Sequence, residues 1–356
     1  MERTVYQEYT FSGTHTEVGR QHGETLRQPL RQHLDIIYAL AGRQPGFSRE
    51  RALETAMGLE PYIGRFAPGF VDELHGLAEG AGISYREAVL LQARQEVVNL
   101  DRLGGGRLEC TSFTAGPSVT ANGHTYAGQN ADLTGDFGRF TYLLTFAVTG
   151  KPKIKMITPA GQISYLGMND RGMSANCNFL VCEGWKRGFP RYLISRLLLE
   201  QPDLQTARQL MLRLERASSR NILLCQDGGQ AVDFENTAAE IAAIEAGGGY
   251  FVHSNHFLSP RMQRYERSNP YELLNSRTRL ARLSQLMEAN RGRIDSALLQ
   301  SFLRDHENGV HSICMHPDPP ENHANTFASM IFDLTDRTMD VARNNPCQNE
   351  YVHYTF

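Results

Sequence analysis

No stretch of the chain is both uncharged and long enough, about 18 residues, to cross a bilayer. The N-terminal Met1-Glu2-Arg3-Thr4-Val5-Tyr6 also lacks the apolar run of a secretory signal. Neither charge sign is in excess: 36 Lys and Arg stand against 39 Asp and Glu, a net charge of −3. The concentrated positive field that nucleic acid or an anionic membrane would need is therefore missing. Six cysteines (Cys110, Cys177, Cys182, Cys225, Cys314, Cys347) occur without CxxC spacing, so neither a disulfide scaffold nor a zinc knuckle is expected, and most should be free thiols. Phosphate motifs are absent too. Gly80 and Gly82 begin a GxG, but Tyr85 stands where the third glycine belongs, and GxxxxGK[ST] does not occur. These absences leave a cytoplasmic protein with no nucleotide cofactor as the expectation. With 41% hydrophobic and 21% charged residues over 356 positions, the chain should fold either as two domains or as one α+β body with a helical appendage.

The first hundred residues carry helical periodicity. Thr14-His15-Thr16-Glu17 has the capping-box form, and Val18, His22, Leu26, Leu30, Leu34, Ile37 and Leu40 follow at spacings of three and four, as on one face of a long helix. Further helical patterns end near Glu96, and Gly104-Gly105-Gly106 then breaks all periodicity. Beyond it the texture becomes that of strands. Cys110–Thr114 and Thr125–Gln129 flank Asn122-Gly123, a hairpin signal because both turn positions favour positive φ. Helical patterns return at about 190–214, 270–289 and 295–304, with strand runs between and after them. Because strands come in runs, a mainly antiparallel sheet with helices on its outer faces is expected, and not a Rossmann-like alternation. The boundary falls at Cys110, between a helical segment, 1–109, and a sheet-rich segment, 110–356, sharing one structural body.

Three positions carry candidate chemistry. Cys110 opens the first strand after the glycine loop, where a thiol can act as a nucleophile. Gly128-Gln129-Asn130-Ala131-Asp132 lies on the strand that returns toward it, which brings the Asp132 carboxylate near the thiol. Asn255, in His253-Ser254-Asn255-His256, offers an amide donor suited to a developing oxyanion; strand alternation would put it on the same face as His253. A metal-dependent hydrolase built from His306, His311, His316 and His323 with His253 and His256 is a rival, but no pair has HExxH or HxH spacing, and no metal is expected. A second rival is a binding protein that kept the fold without catalysis.

The chain resembles the acyl-coenzyme A:6-aminopenicillanic acid acyltransferase family, also classed as peptidase family C45, along nearly its whole length. The shared marks are Glu17-Val18-Gly19-Arg20-Gln21-His22-Gly23, Ala93-Arg94-Gln95-Glu96, Cys110-Thr111-Ser112, Gly128-Gln129-Asn130-Ala131-Asp132, Val252-His253-Ser254-Asn255-His256, Ser312-Ile313-Cys314 and the C-terminal strand pair. The resemblance implies a four-layer αββα N-terminal-nucleophile sandwich. It also implies self-cleavage before the cysteine, at Glu109-Cys110, into two fragments that stay associated. Cys110 would be the nucleophile, Asp132 the acidic partner and Asn255 the oxyanion donor, acting on a small-molecule amide or, with a coenzyme A thioester as acyl donor, in acyl transfer. Bile-salt-hydrolase-like amidases are the nearest enzymatic neighbours in chemistry. Two departures stand out: the family's processed bond is commonly Gly-Cys, where this chain has Glu109, and a family arginine before the penultimate strand is replaced by His323-Ala324-Asn325-Thr326.

Overall fold

The computed structural model describes residues 5–42, 47–98, 109–134, 137–247, 249–320 and 322–356; the Gly104-Gly105-Gly106 loop lies outside them, as does Gly248. The chain opens with a strand, β1 (Glu8–Gly13), followed by helices α1 (His15–Thr25), α2 (Arg27–Ala41), α3 (Arg49–Met57), α4 (Glu60–Phe66), α5 (Pro68–Ala81) and α6 (Tyr85–Val98). Thr14 and Glu17 form the expected reciprocal capping box on α1. The single long helix does not form. Leu26, at φ −110° and ψ 25°, ends α1 and starts α2, so the apolar stripe continues across a break.

Helices α1 and α5 touch backbone to backbone. A Cβ on Gly19 would stand 1.9 Å from the Glu73 carbonyl oxygen, and one on Gly76 would stand 2.1 Å from that of Thr16. No side-chain rearrangement can relieve a clash with a backbone carbonyl, so the two helices would have to separate. Gly19→Ala is expected to lower stability by about 1–3 kcal/mol, the usual range for overpacking, read as a lower denaturant midpoint at unchanged slope.

The remaining strands are β2 (Glu109–Ala115), β3 (Tyr126–Thr134), β4 (Thr141–Val148), β5 (Ile154–Pro159), β6 (Leu166–Asn169), β7 (Met173–Asn178), β8 (Arg220–Gln226), β9 (Gln230–Asn236), β10 (Ile241–Glu245), β11 (Tyr250–His253), β12 (Ala324–Asp333), β13 (Thr338–Arg343) and β14 (Val352–Thr355). Helices α7 (Arg191–Leu199) and α8 (Leu204–Arg213) precede β8, and α9 (Pro270–Ala289) and α10 (Ser296–Leu303) precede β12. An eight-stranded sheet runs β1-β4-β5-β6-β7-β8-β9-β10, and a six-stranded sheet runs β11-β2-β3-β12-β13-β14. All neighbouring strands pair antiparallel except β1 with β4, which is parallel. Helices α1, α7 and α8 pack on the larger sheet and α9 and α10 on the smaller, while β2 and β3 face β7. The architecture is α+β in four layers, αββα.

Three local expectations are corrected. The N-terminal hundred residues are not all helical, because β1 joins the larger sheet at its edge and ties that segment into the body. The β2–β3 connection is not a tight Asn122-Gly123 hairpin: pairing starts at Ala115 opposite Tyr126, and Gly123 alone of the two has positive φ. The helical run at 190–214 is two helices, the second capped by Asp203.

Candidate active site

Cys110 is the second residue of β2, and the β2–β3 register sets it opposite Ala131, with Glu109 opposite Asp132. Alternation along the strands then separates two faces. Cys110 and Ser112 share the face turned to the larger sheet, where Ser112 Oγ accepts from Asn178 Nδ2 at 2.8 Å. Gln129, on the same face, spans the layers by donating to the Cys177 carbonyl at 2.8 Å and accepting from the Cys177 N–H at 2.9 Å. Thr111, Asn130 and Asp132 share the other face, toward α9 and α10. The pairing therefore brings Asp132 beside Cys110 along the sheet but turns its carboxylate away from the thiol. Asp132 is fully buried, and its Oδ1 accepts from Thr326 Oγ1 at 2.6 Å.

Asn255 reaches Cys110 by another route. Strand β11 pairs with β2 through Val252 opposite Phe113 and His253 opposite Ser112 and then stops, so the expected alternation does not extend to Asn255. Continuing the register two residues would put Asn255 opposite Cys110. There the Asn255 side chain replaces the missing ladder carbonyl: the Cys110 N–H donates to Asn255 Oδ1 at 2.8 Å. The Asn255 amide nitrogen donates to the Phe179 carbonyl at 3.1 Å. The amide oxygen, and not the nitrogen, thus faces Cys110.

Helix α9 supplies what the sequence pattern did not single out. Its buried face runs Asn275, Ser276, Arg279, Leu283 and Met287, a helical stripe that turns from apolar to polar toward the N-terminus. Ser276 Oγ accepts from the Asn255 N–H at 2.7 Å and lies 2.7 Å from His256 Nδ1. Arg279 is fully buried. Its Nη1 donates to the Cys110 carbonyl at 2.7 Å and to Thr111 Oγ1 at 2.6 Å, its Nη2 to Asn255 Oδ1 at 2.8 Å, and its Nε to Asn275 Oδ1 at 2.7 Å. Two donors on Asn255 Oδ1 fix the orientation of that amide. The available signal was positional: Asn275 and Arg279 continue the buried stripe of α9 at a spacing of four, where apolar residues would otherwise stand.

Electrostatics oppose a free thiolate in the intact chain. Burial first, and then the Asp132 carboxylate, push the Cys110 thiol up to about 12, against hydrogen bonds from the Asp132 backbone and the Gln129 side chain and against the Arg279 charge. The neighbouring His253 has both ring nitrogens engaged, Nδ1 donating to the Ser254 carbonyl at 2.7 Å and Nε2 donating to Glu235 at 2.9 Å. Its burial is outweighed by the Asp233 and Glu235 carboxylates, which raise its pKa. A buried hydrogen-bonded cluster of His253, Glu235 and Asp233 thus anchors the end of β11, just ahead of Asn255.

Cys110 lies on a cavity of about 20 Å³, lined by Tyr165, Cys177, Asn178, Phe179, Arg191, Tyr192 and Arg220, which is room for one water. The late histidines are elsewhere. His306 and His316 meet each other, His311 lies against Asn275 on α9, and His323 is exposed. Among the described residues no group of metal-ligating side chains combines them with His253 or His256, which removes the expected basis for a metal-dependent hydrolase of that composition.

Comparison with known proteins bears on the family. The acyl-coenzyme A:6-aminopenicillanic-acid-acyltransferase 40 kDa form of Emericella nidulans is 26% identical over 339 residues, covering 95% of this chain and 92% of that one. Among solved structures, a mutant conjugated bile acid hydrolase from Clostridium perfringens aligns with a TM-score of 0.47 and 11% identity, covering 69% of this chain and 97% of that one. Penicillin V acylase from Agrobacterium tumefaciens aligns with a TM-score of 0.44 and 13% identity, covering 66% and 83%. The sequence profile described as acyl-coenzyme A:6-aminopenicillanic acid acyl-transferase matches residues 119–348, a span that holds Asp132, Asn255 and Arg279 and begins after Cys110. That span is well over half of the sequence, and the chain belongs to this acyl-transferase family.

Proposed function

We propose that the chain is a self-processing cysteine N-terminal-nucleophile enzyme that takes the acyl group of a small-molecule amide or thioester onto Cys110 and passes it to water or an amine. The observation that supports this best is that Cys110 is held by its own backbone on both sides. Asn255 Oδ1 accepts from its N–H at 2.8 Å and Arg279 Nη1 donates to its carbonyl at 2.7 Å, at a strand start bordering a buried cavity.

In processing, Cys110 Sγ attacks the Glu109 carbonyl carbon and the Glu109–Cys110 C–N bond breaks. The result is a thioester on Sγ and a free α-amine on Cys110. Water then cleaves the thioester, leaving a Glu109 carboxylate and the thiol. The new amine has a reference pKa of about 7.7–8.0, so near neutral pH a substantial fraction of it is unprotonated and can accept the Cys110 proton. Asn255 Oδ1 already contacts that nitrogen and has no proton to give, so it orients the amine by accepting one of its hydrogens.

In turnover the thiolate attacks the substrate carbonyl. Backbone N–H groups hold the oxyanion, since Asn255 presents its amide oxygen to Cys110; the α-ammonium protonates the leaving amine, and water releases the acid. Asp132, seated by Thr326, acts through the strand beside Cys110. Hydrolysis is favoured over transfer because water needs no second binding site. The Emericella relative's name points to a coenzyme A thioester as the alternative acyl donor.

Intact mass spectrometry with N-terminal sequencing tests this reading. Two associated fragments of 109 and 247 residues, the second beginning at Cys110, are expected from a chain of 356. An uncut chain that turns over amides would overturn the amine mechanism, and an uncut chain without activity would identify a binding protein.

A further inference from the structure

We propose that His306, Cys314, His316 and Cys347 together bind one zinc ion. The side chains come from three places in the chain: just beyond α10, just before β12, and between β13 and β14. Their ligand atoms nevertheless all lie within 4.8 Å of one another. His306 Nε2 and His316 Nε2 are 3.1 Å apart, while Cys347 Sγ is 3.3 Å and Cys314 Sγ 3.8 Å from His316 Nε2. Tetrahedral zinc holds sulfur at about 2.3 Å and imidazole nitrogen at about 2.0–2.1 Å, which sets neighbouring donors roughly 3.3–3.8 Å apart. The four atoms are thus already near the spacing of a Cys2His2 shell.

The chemistry of the donors points the same way. Two imidazole nitrogens facing each other can hydrogen-bond only if one carries a proton, whereas a shared cation lets both offer lone pairs. Asn345 supports the buried thiol from outside the shell, its Nδ2 lying 3.7 Å from Cys314 Sγ and donating to the Met315 carbonyl at 2.7 Å. Such an amide contact is the usual way a ligand sulfur is oriented and its negative charge steadied. Cys314 is buried, whereas His306 and Cys347 are exposed and give the ion a way in. On binding, two thiols lose their protons to solvent, and two thiolates with two neutral imidazoles leave the zinc centre uncharged.

Four protein donors leave no open position for a substrate, so the site is structural, and none of its residues lines the cavity at Cys110. Its consequence is mechanical. The ion would clamp the segment before β14 onto the segment before β12. There the Met315 N–H donates to Thr326 Oγ1 at 2.9 Å, and Thr326 in turn donates to Asp132. The clamp therefore ends two hydrogen bonds from a candidate catalytic carboxylate.

The test is the metal content of the untagged full-length chain, purified with thiols reduced. About one zinc per chain is expected. His306→Asn and Cys347→Ser, both at exposed positions where folding should survive, should each lose it under mild chelator, while His311→Asn should retain it. Loading the stripped chain with cobalt should produce thiolate-to-cobalt charge-transfer absorption that halves in Cys347→Ser. The proposal is overturned if the reduced wild-type chain neither carries zinc nor takes up cobalt with that absorption. It is equally overturned if the metal bound is unchanged in both variants, or if Cys314 and Cys347 form a disulfide under the same conditions. None of these readouts depends on cleavage at Cys110.

Discussion

Cys110→Ala will yield a single chain of 356 residues with turnover lowered at least about a thousandfold, because it removes the one atom that would carry both the processing thioester and the acyl group. Alanine suits the site. The side chain is 4% exposed and packed between the sheets, so losing one sulfur leaves a small gap and no unpaired charge. The backbone contacts of residue 110 to Asn255 and Arg279 do not involve Sγ and should persist. Cys225→Ala, a buried thiol on β8, should be cut and active like the parent. Equal cleavage in the Cys110 and Cys225 variants, seen in intact mass, would remove Cys110 from the chemistry. Cys110→Ser separates the two stages: with a less acidic hydroxyl in the same surroundings, cleavage should be slower than in the parent while the final fragments stay the same.

What could be foreseen in the sequence was what neighbours in the chain decide. The Thr14 and Glu17 capping box is written in four consecutive residues, and α9 begins where Asn269 caps it and Pro270 occupies the first turn. The run of strands after Cys110 likewise announced an antiparallel α+β body. Features set by distant partners were hidden. Gly19 and Gly23 were visible as a motif, but their physical reason is α5, whose backbone lies against them. Strand β1 is short and alternates weakly, and only pairing with β4 makes it part of a sheet. At the site, Cys110, Asp132 and Asn255 could be picked out, yet their mutual orientation depends on two strand registers. One of these ends two residues before Asn255, short of where alternation would have placed it with His253. Arg279 is 169 positions from Cys110, and its place on the buried stripe of α9 marks it as internal without showing which residue it serves. The proposed zinc ligands are hidden for the same reason: His306 and His316 pair with Cys314 and Cys347, which come from a buried loop and a late surface turn.

Arg279→Met should leave the fold intact but slow cleavage at Glu109-Cys110 by about a hundredfold or more. The guanidinium makes four hydrogen bonds, and two of its acceptors, the Cys110 carbonyl and Asn255 Oδ1, flank the bond to be broken. Each hydrogen bond from a charged donor is worth about 1.5–3 kcal/mol, so losing even one in the transition state accounts for roughly a ten- to hundredfold change. Methionine keeps the apolar stem but leaves four buried acceptors without their donor, so the rate is read on protein whose fold is confirmed by circular dichroism. Removing the charge also takes away an influence that lowers the Cys110 thiol pKa, so the remaining cleavage should shift to higher pH. Arg279→Lys tells charge from geometry. An ammonium restores the field but cannot reach across Cys110, Thr111 and Asn255 as the planar fork does. If Arg279 is a positioning residue, the lysine variant should recover the pH profile without the rate. Recovery of both would mean that charge alone matters, and wild-type cleavage in Arg279→Met would show that this arginine only fills the core.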